Sequence, residues 1–203
     1  LAQYSAAVVG PGLGVSEASR KLLELLLTHF KGPLVLDADA LNVMAQYKLQ
    51  DRLAFRKGET VLTPHPGEMA RLLGISKEEV VRDPGAAIAR AVEETHSVLV
   101  LKGAATLIQG PKEPLFLSHH PNDGMATAGS GDVLAGMIGG LIGQGIGAFS
   151  SARLGVLLHS AAGQLAATRH GHRSMTAPDI ISEIGSAFFD LKDNTTAIGS
   201  PFR

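Results

Sequence analysis

The sequence predicts an α/β fold, a mostly parallel sheet with helices on both faces, and three observations carry that expectation. Short apolar runs alternate along the chain with longer stretches of helical periodicity, the pattern of successive β-α-β units. The runs at residues 34–36, 60–62 and 97–101 are apolar at nearly every position, as strands covered on both faces are. Each run ends in a cluster of glycine or polar residues, and an open α/β sheet binds its ligands outside the carboxyl ends of its strands.

Taken in order, residues 6–9 form the first strand, closed by the sharp loop Gly10-Pro11-Gly12-Leu13-Gly14. Ser16 caps a helix reaching about residue 30, with Leu22, Leu23, Leu26 and Leu27 as its apolar face. Residues 34–36 are the second strand. Asp37-Ala38-Asp39 follows, and either aspartate suits a cap or a ligand contact before a helix holding Leu41, Met44 and Ala45. Residues 60–62 are the third strand, leading into Thr63-Pro64-His65-Pro66-Gly67-Glu68 and a helix to Leu73 with Gly74 just beyond it. The flanking prolines keep His65 out of a helix interior and fix it in a rigid loop at a strand end, a placement that favours function over a merely solvated side chain.

Ser76 and Glu79 have capping-box spacing, and Asp83-Pro84 starts a helix to about residue 95. Residues 97–101 form the most apolar strand and end in Lys102-Gly103, a cation well placed for a phosphate. Residues 106–109 and 115–117 read as shorter strands, antiparallel around Gly110-Pro111. A long Ala-rich helix over residues 150–169 and a last helix capped by Thr176 complete the chain. With no repeat, low-complexity tract or linker, residues 1–203 are expected to be one domain.

Bulk properties narrow the function. A net charge of −1 and no basic run longer than a dipeptide argue against a nucleic-acid face. The absence of cysteine excludes disulfides, thiolate metal sites and cysteine nucleophiles. No apolar run is long enough to span a bilayer, no signal peptide is visible, and the cytoplasm is the expected compartment. His119, His120, His159, His170 and His172 lack metal-site spacing and read as surface or packing residues.

The stretch that organises the chain is residues 122–140. A polar run ends at Gly129-Ser130-Gly131-Asp132, and an apolar helical pattern begins at once with Val133, Leu134, Met137 and Ile138. The first amides of a helix have no internal partners, and with the helix dipole they suit a phosphate. Asp132 in that first turn would sit beside the anion, an awkward place for a carboxylate unless it takes a proton from an attacking hydroxyl. Simple helix capping by Ser130 or Asp132 is the competing reading.

In this order, GPGLG, LDADALN, TPHPGE, VLKGAAT and NDGMATAGSGDVLAG closely resemble the ADP-dependent NAD(P)H-hydrate dehydratases. The resemblance covers nearly the whole chain and implies a ribokinase-like three-layer αβα sandwich. It further implies nucleotide-driven loss of water from hydrated NADH or NADPH, with Mg²⁺ on the phosphates and ADP favoured over ATP as donor. By motif, Gly12, Gly14 and His65 contact the hydrated dinucleotide. Lys102, Gly103, Ala104, Ala105, Thr106 and Gly131 lie against the adenine nucleotide, with Gly129 and Ser130 completing the anion turn, and Asp132 touches the hydrate as base. Homotetramers are implied too. The family carries a further N-terminal segment, so an N-terminal portion is expected to precede residue 1, and Asp123 stands where proline is more usual.

Two other readings compete. A ribokinase-like small-molecule kinase would share the anion turn and release a phosphorylated product, but TPHPGE argues against it. A dinucleotide-dependent dehydrogenase would use the glycine loop, yet Gly10, Gly12 and Gly14 do not have the GxGxxG spacing. A nucleotide-binding module without activity is a third reading, opposed by an intact Asp132.

Overall fold

Leu34, Val35 and Leu36 show how the fold is built, because alternate side chains leave a strand on opposite faces and all three are buried. Leu34 and Leu36 pack with Leu23, Met44, Leu62 and Met69 on one face. Val35 packs with Val61, Val100, Leu134, Ile138 and Ala152 on the other. A strand buried on both faces needs a helical layer on each, and the chain supplies them. The computed structural model describes residues 4–197, and side chains through residue 191.

The described sheet has six strands, β1 (Ala7–Val9), β2 (Leu34–Leu36), β3 (Thr60–Leu62), β4 (Val98–Leu101), β5 (Thr106–Gln109) and β6 (Phe116–Ser118), in spatial order β1-β2-β3-β4-β5-β6. The first four run parallel, whereas β4-β5 and β5-β6 are antiparallel. One layer holds α1 (Glu17–His29), α2 (Asp39–Gln46), α3 (Pro66–Leu73), α4 (Lys77–Arg82) and α5 (Pro84–Thr95). The other holds α6 (Ser130–Gly143) and α7 (Ala148–His170) against the sheet, with α8 (Ala177–Ala197) packed on them. Gly139 lets α6 approach closely, since a side chain there would collide with Val8 of β1.

Local chemistry sets most helix starts as the sequence indicates. Ser16 accepts from the Ser19 amide, Ser76 and Glu79 form a reciprocal capping box, and Asp83 accepts from the Ala86 amide ahead of Pro84. The differences are instructive. Leu22 is 44% exposed, so the buried stripe of α1 is narrower than its leucine content suggests. Neither Asp37 nor Asp39 caps α2 with its side chain: Ala38 is the N-cap residue, at a φ of 48°. Ser130 lies inside α6, and Gly129, at a φ of 85°, is its N-cap residue without a side-chain cap. Strand β6 ends one residue later than expected, α7 begins two residues earlier, and 3-10 turns form at Gln50–Phe55 and Asp123–Ala126. Such turns have too short a pattern to read in advance.

Register then positions the site. Val9 pairs with Leu36 and Leu36 with Leu62, so Gly10, Asp37 and Thr63 leave the sheet at one level. The Lys102 amide donates to the Pro64 carbonyl at 2.8 Å, which brings the end of β4 to the same edge.

Candidate active site

At that edge Asp37 is 1% exposed and accepts from Lys102 Nζ at 2.6 Å. Both belong to residues leaving parallel strands, and both sit under the first turn of α6. A side chain starting at Gly131 would meet Lys102 Nζ at 3.2 Å and Asp37 Oδ2 at 3.7 Å. Glycine at 131 therefore leaves the ammonium open to an anion held against the turn. The buried carboxylate fixes where that ammonium points.

The glycine loop is tied to the same structure. Gly10 has a φ of 133° and passes so close to the Asp37 carbonyl that no side chain fits. The Leu13 amide donates back to Gly10, and the Gly14 amide donates to Asp39 Oδ2 at 2.8 Å. Between the two aspartates, Ala38 occupies a left-handed conformation that alanine takes at a cost of about 1–3 kcal/mol. The strain lets Asp37 turn towards Lys102 while Asp39 turns towards the loop.

His65 is the N-cap residue of α3. Its Nδ1 accepts from the Gly67 amide at 3.0 Å and the Glu68 amide at 3.3 Å, and Glu68 Oε2 accepts from the His65 amide at 2.8 Å. Those bonds leave Nδ1 as an acceptor, so the neutral ring with its proton on Nε2 is the form that caps the helix. Burial is the largest influence depressing the His65 pKa, helped by the Lys102 and Arg71 charges and opposed by Glu68 and Asp37. The half-exposed Nε2 edge, 3.4 Å from Glu68 Oε1, is what the ring can offer a ligand.

The turn at Gly129–Gly131 leads into α6. Its lead-in is anchored: Asn122 donates to the Gly163 carbonyl, and Asn122 Oδ1 accepts from the Gly124 amide. Ser130 is buried, with Oγ 3.4 Å from His159 Nε2 on α7. Burial drives the His159 pKa down to about 4, with the nearby Lys102 adding to the effect and a Ser130 backbone hydrogen bond opposing it. Asp132 is exposed in the first turn of α6 and has no hydrogen-bond or ion-pair partner among the described residues. Beside it Gly129, Val133, Gly136, Met137, Ala177, Ile181 and Ile184 line an apolar groove of about 600 Å³ between α6 and α8.

The fold thus pairs Lys102 with Asp37 beneath Gly131, and joins Gly14 to the start of α2 through Asp39. Gly103 and Ala104 are exposed, Ala105 is half-buried and Thr106 opens β5, so residues 102–105 form the turn between β4 and β5. His159, one of the five histidines read as surface or packing residues, is a buried packing residue of α7 behind Ser130. It is the one ionisable member of the buried stripe Ala152, Gly155, Val156, His159, Ala162, Gly163 and Ala166 on α7. Among the described residues no group of three or more histidines and carboxylates could hold a metal ion. No helix among them is long and apolar enough to cross a membrane.

Residues 1–186 match the family model described as NAD(P)H-hydrate dehydratase. The chain is 42% identical over 198 residues to a bifunctional NAD(P)H-hydrate repair enzyme of Moorella thermoacetica, covering 98% of this chain and 37% of that protein. It is 44% identical over 156 residues to an ADP-dependent (S)-NAD(P)H-hydrate dehydratase of Neisseria meningitidis serogroup B, covering 76% of this chain and 53% of that one. The chain therefore spans from about a third to half the length of these relatives. A solved structure of an ADP/ATP-dependent NAD(P)H-hydrate dehydratase from Bacillus subtilis, co-crystallised with ATP and Mg²⁺, superimposes with a TM-score of 0.80 at 27% identity, covering 92% of this chain and 64% of that one. The architecture is ribokinase-like, as the motifs imply.

Proposed function

The chain belongs to the NAD(P)H-hydrate dehydratase family, and on that premise we propose that it uses an adenine nucleotide, ADP in preference to ATP, to dehydrate hydrated NADH and NADPH. The observation that carries this reading is Asp132, an exposed carboxylate at the head of α6 with no partner among the described residues, directly after Gly131, which lies against the Lys102–Asp37 pair.

Phosphoryl transfer asks the protein for position and charge neutralisation more than for covalent chemistry. The Ser130 amide donates to the Thr127 carbonyl, so the amides of Gly129 and Gly131 would receive charge on the transferred group, and Lys102, aimed by Asp37, would neutralise more of it. Residues 103–105, in the turn after β4, and Thr106 at the start of β5 would lie along the nucleotide. Asp132 would take the proton from the 6-hydroxyl of the hydrate as that oxygen attacks the terminal phosphorus. The phosphate ester is a good leaving group, so the ring nitrogen lone pair expels it. Loss of a ring proton then restores the double bond. Gly12, Gly14 and the Nε2 edge of His65 would hold the dinucleotide so that its hydroxyl meets Asp132.

Magnesium commonly keeps several waters and takes one or two carboxylates plus substrate phosphates. Such an ion would come in on the nucleotide phosphates received by the Gly129–Gly131 turn, with the exposed Asp132 as the neighbouring carboxylate. Bound there, it would neutralise charge on the phosphates. We further propose a homotetramer working in the cytoplasm, alongside the cofactor pool it would repair. Phe188 and Phe189, exposed on α8, offer an apolar surface that another copy could cover.

The test is to incubate the protein with hydrated NADH, Mg²⁺ and either ADP or ATP and to follow the absorbance of intact NADH. Recovery with a nucleotide, lost in Asp132→Asn, is the expected result. Absence of recovery from folded, nucleotide-binding protein, with a phosphorylated small molecule formed instead, would favour a kinase.

A further inference from the structure

A second groove, of about 370 Å³, lies between α2 and α3 and is lined by Asn42, Ala45, Gln46 and Arg71. Arg71 is exposed. Its Nε donates to Asn42 Oδ1 at 2.9 Å, and its two terminal nitrogens have no partner among the described residues. The carboxylates nearby are already committed: Glu68 caps α3, Asp37 holds Lys102, and Asp39 holds the Gly14 amide. Asn42 is fixed from its other side, with Nδ2 donating to Asp39 Oδ1 at 3.4 Å. A side chain at Gly67, next to His65, would begin 3.9 Å from Arg71 Nη1. Gly14, Asp39, Asn42 and Arg71 therefore form one connected series that ends beside His65. Arg71 stands between the two elements assigned above to the dinucleotide.

An aimed guanidinium with a free pair of N–H groups, flanked by amide side chains, has the chemistry of a phosphate site. We propose that this groove is a phosphate subsite for the dinucleotide substrate, with Arg71 as its charged contact and Asn42 as the residue that orients it. The inference rests on the dehydratase reading for the identity of its ligand. Two phosphates of the dinucleotide could fill the groove, the 2′-phosphate that only the NADPH form carries or the diphosphate that both forms share.

The experiment compares wild type, Arg71→Gln and Arg71→Lys on hydrated NADH and hydrated NADPH at saturating nucleotide and Mg²⁺, with thermal melts to confirm folding. Loss of a hydrogen-bonded charge is expected to raise KM about tenfold or more with little change in kcat, and Arg71→Lys is expected to recover part of the loss. A rise confined to the NADPH hydrate identifies the 2′-phosphate, and an equal rise on both hydrates identifies the diphosphate. Unchanged KM on both substrates would overturn the proposal. Binding of intact NADP⁺ and NAD⁺ by calorimetry separates this inference from the catalytic one. If wild type shows no dehydration, an affinity for either dinucleotide that depends on Arg71 still supports the subsite, and an affinity indifferent to Arg71 refutes it.

Discussion

Asp37, Asp39, His65 and Glu68, at the ends of β2 and β3, are all engaged in bonds within the protein, whereas Asp132 at the head of α6 has none among the described residues. The first group is a frame: each carboxylate or ring fixes a backbone amide or an ammonium, and none is free to move a proton without disturbing a helix cap or an ion pair. The second is an exposed carboxylate in the first turn of a helix, proposed above as the base, next to Gly129 and Gly131, which carry no side chains. The two regions show that polar residues gathered at one sheet edge need not share one task. Partners, more than position, separate a positioning carboxylate from one that can do chemistry.

Removing the free group should have the largest effect on activity and the smallest on stability. Asp132→Asn is expected to lower the dehydration rate by about 10²–10⁴-fold, the usual span for a lost general base, with an unchanged melting temperature. A parallel fall in melting temperature would mean that Asp132 belongs to the frame after all. Removing one partner of a buried ion pair does the reverse. Lys102→Met leaves the buried Asp37 charge uncompensated and should cost about 3–5 kcal/mol in denaturant unfolding. Asp37→Asn should cost less, because Lys102, at 20% side-chain exposure, can turn to water. Equal losses would show that Lys102 cannot reach water once Asp37 is neutral.

His159 sharpens the contrast through pH. Its folded-state pKa of about 4 lies below the ordinary 6.5. The unfolded chain therefore binds a proton first as pH falls, and stability fully present above about 6.5 is lost progressively towards pH 4, by about 3 kcal/mol in total. Unfolding curves collected across that range should show the decline in wild type and a flatter profile in His159→Gln. The smallest effect is expected at His65. Truncation to Ala removes an N-cap worth about 1 kcal/mol, and His65→Asn, itself a good cap, should restore the stability. If His65→Asn also restores substrate binding, the ring's Nε2 edge is not a ligand contact.

Much of the fold was legible because its signals are local. The caps at Ser16, Ser76 and Asp83 and the left-handed stop at Gly74 follow from one residue and its neighbours three or four positions away. The strand runs were readable because burial on both faces leaves almost nothing but apolar residues. The motifs at Gly10–Gly14, His65, Lys102 and Gly129–Asp132 were readable as well, since each clusters unusual residues at a strand or helix end. What was not legible is who bonds to whom. Asp37 and Asp39 look alike in sequence, yet one faces Lys102, 65 positions away, and the other the Gly14 amide, 25 positions away. His159 looks like one more helical histidine until α7 packs behind the anion turn.

The sequence by itself determined the alternation of strands and helices, the ends where chemistry collects and the family to which the motifs belong. All of these depend on periodicity and on residues close in the chain. Only the tertiary structure decided that Ala38 would take the left-handed turn separating the two aspartates, that Gly131 would leave Lys102 uncovered, and that Asp132 would have no partner among the described residues. Those outcomes depend on the register of β1, β2, β3 and β4 and on how closely α6 approaches the sheet. They are sums of many contacts between residues distant in sequence, and no single residue type encodes them.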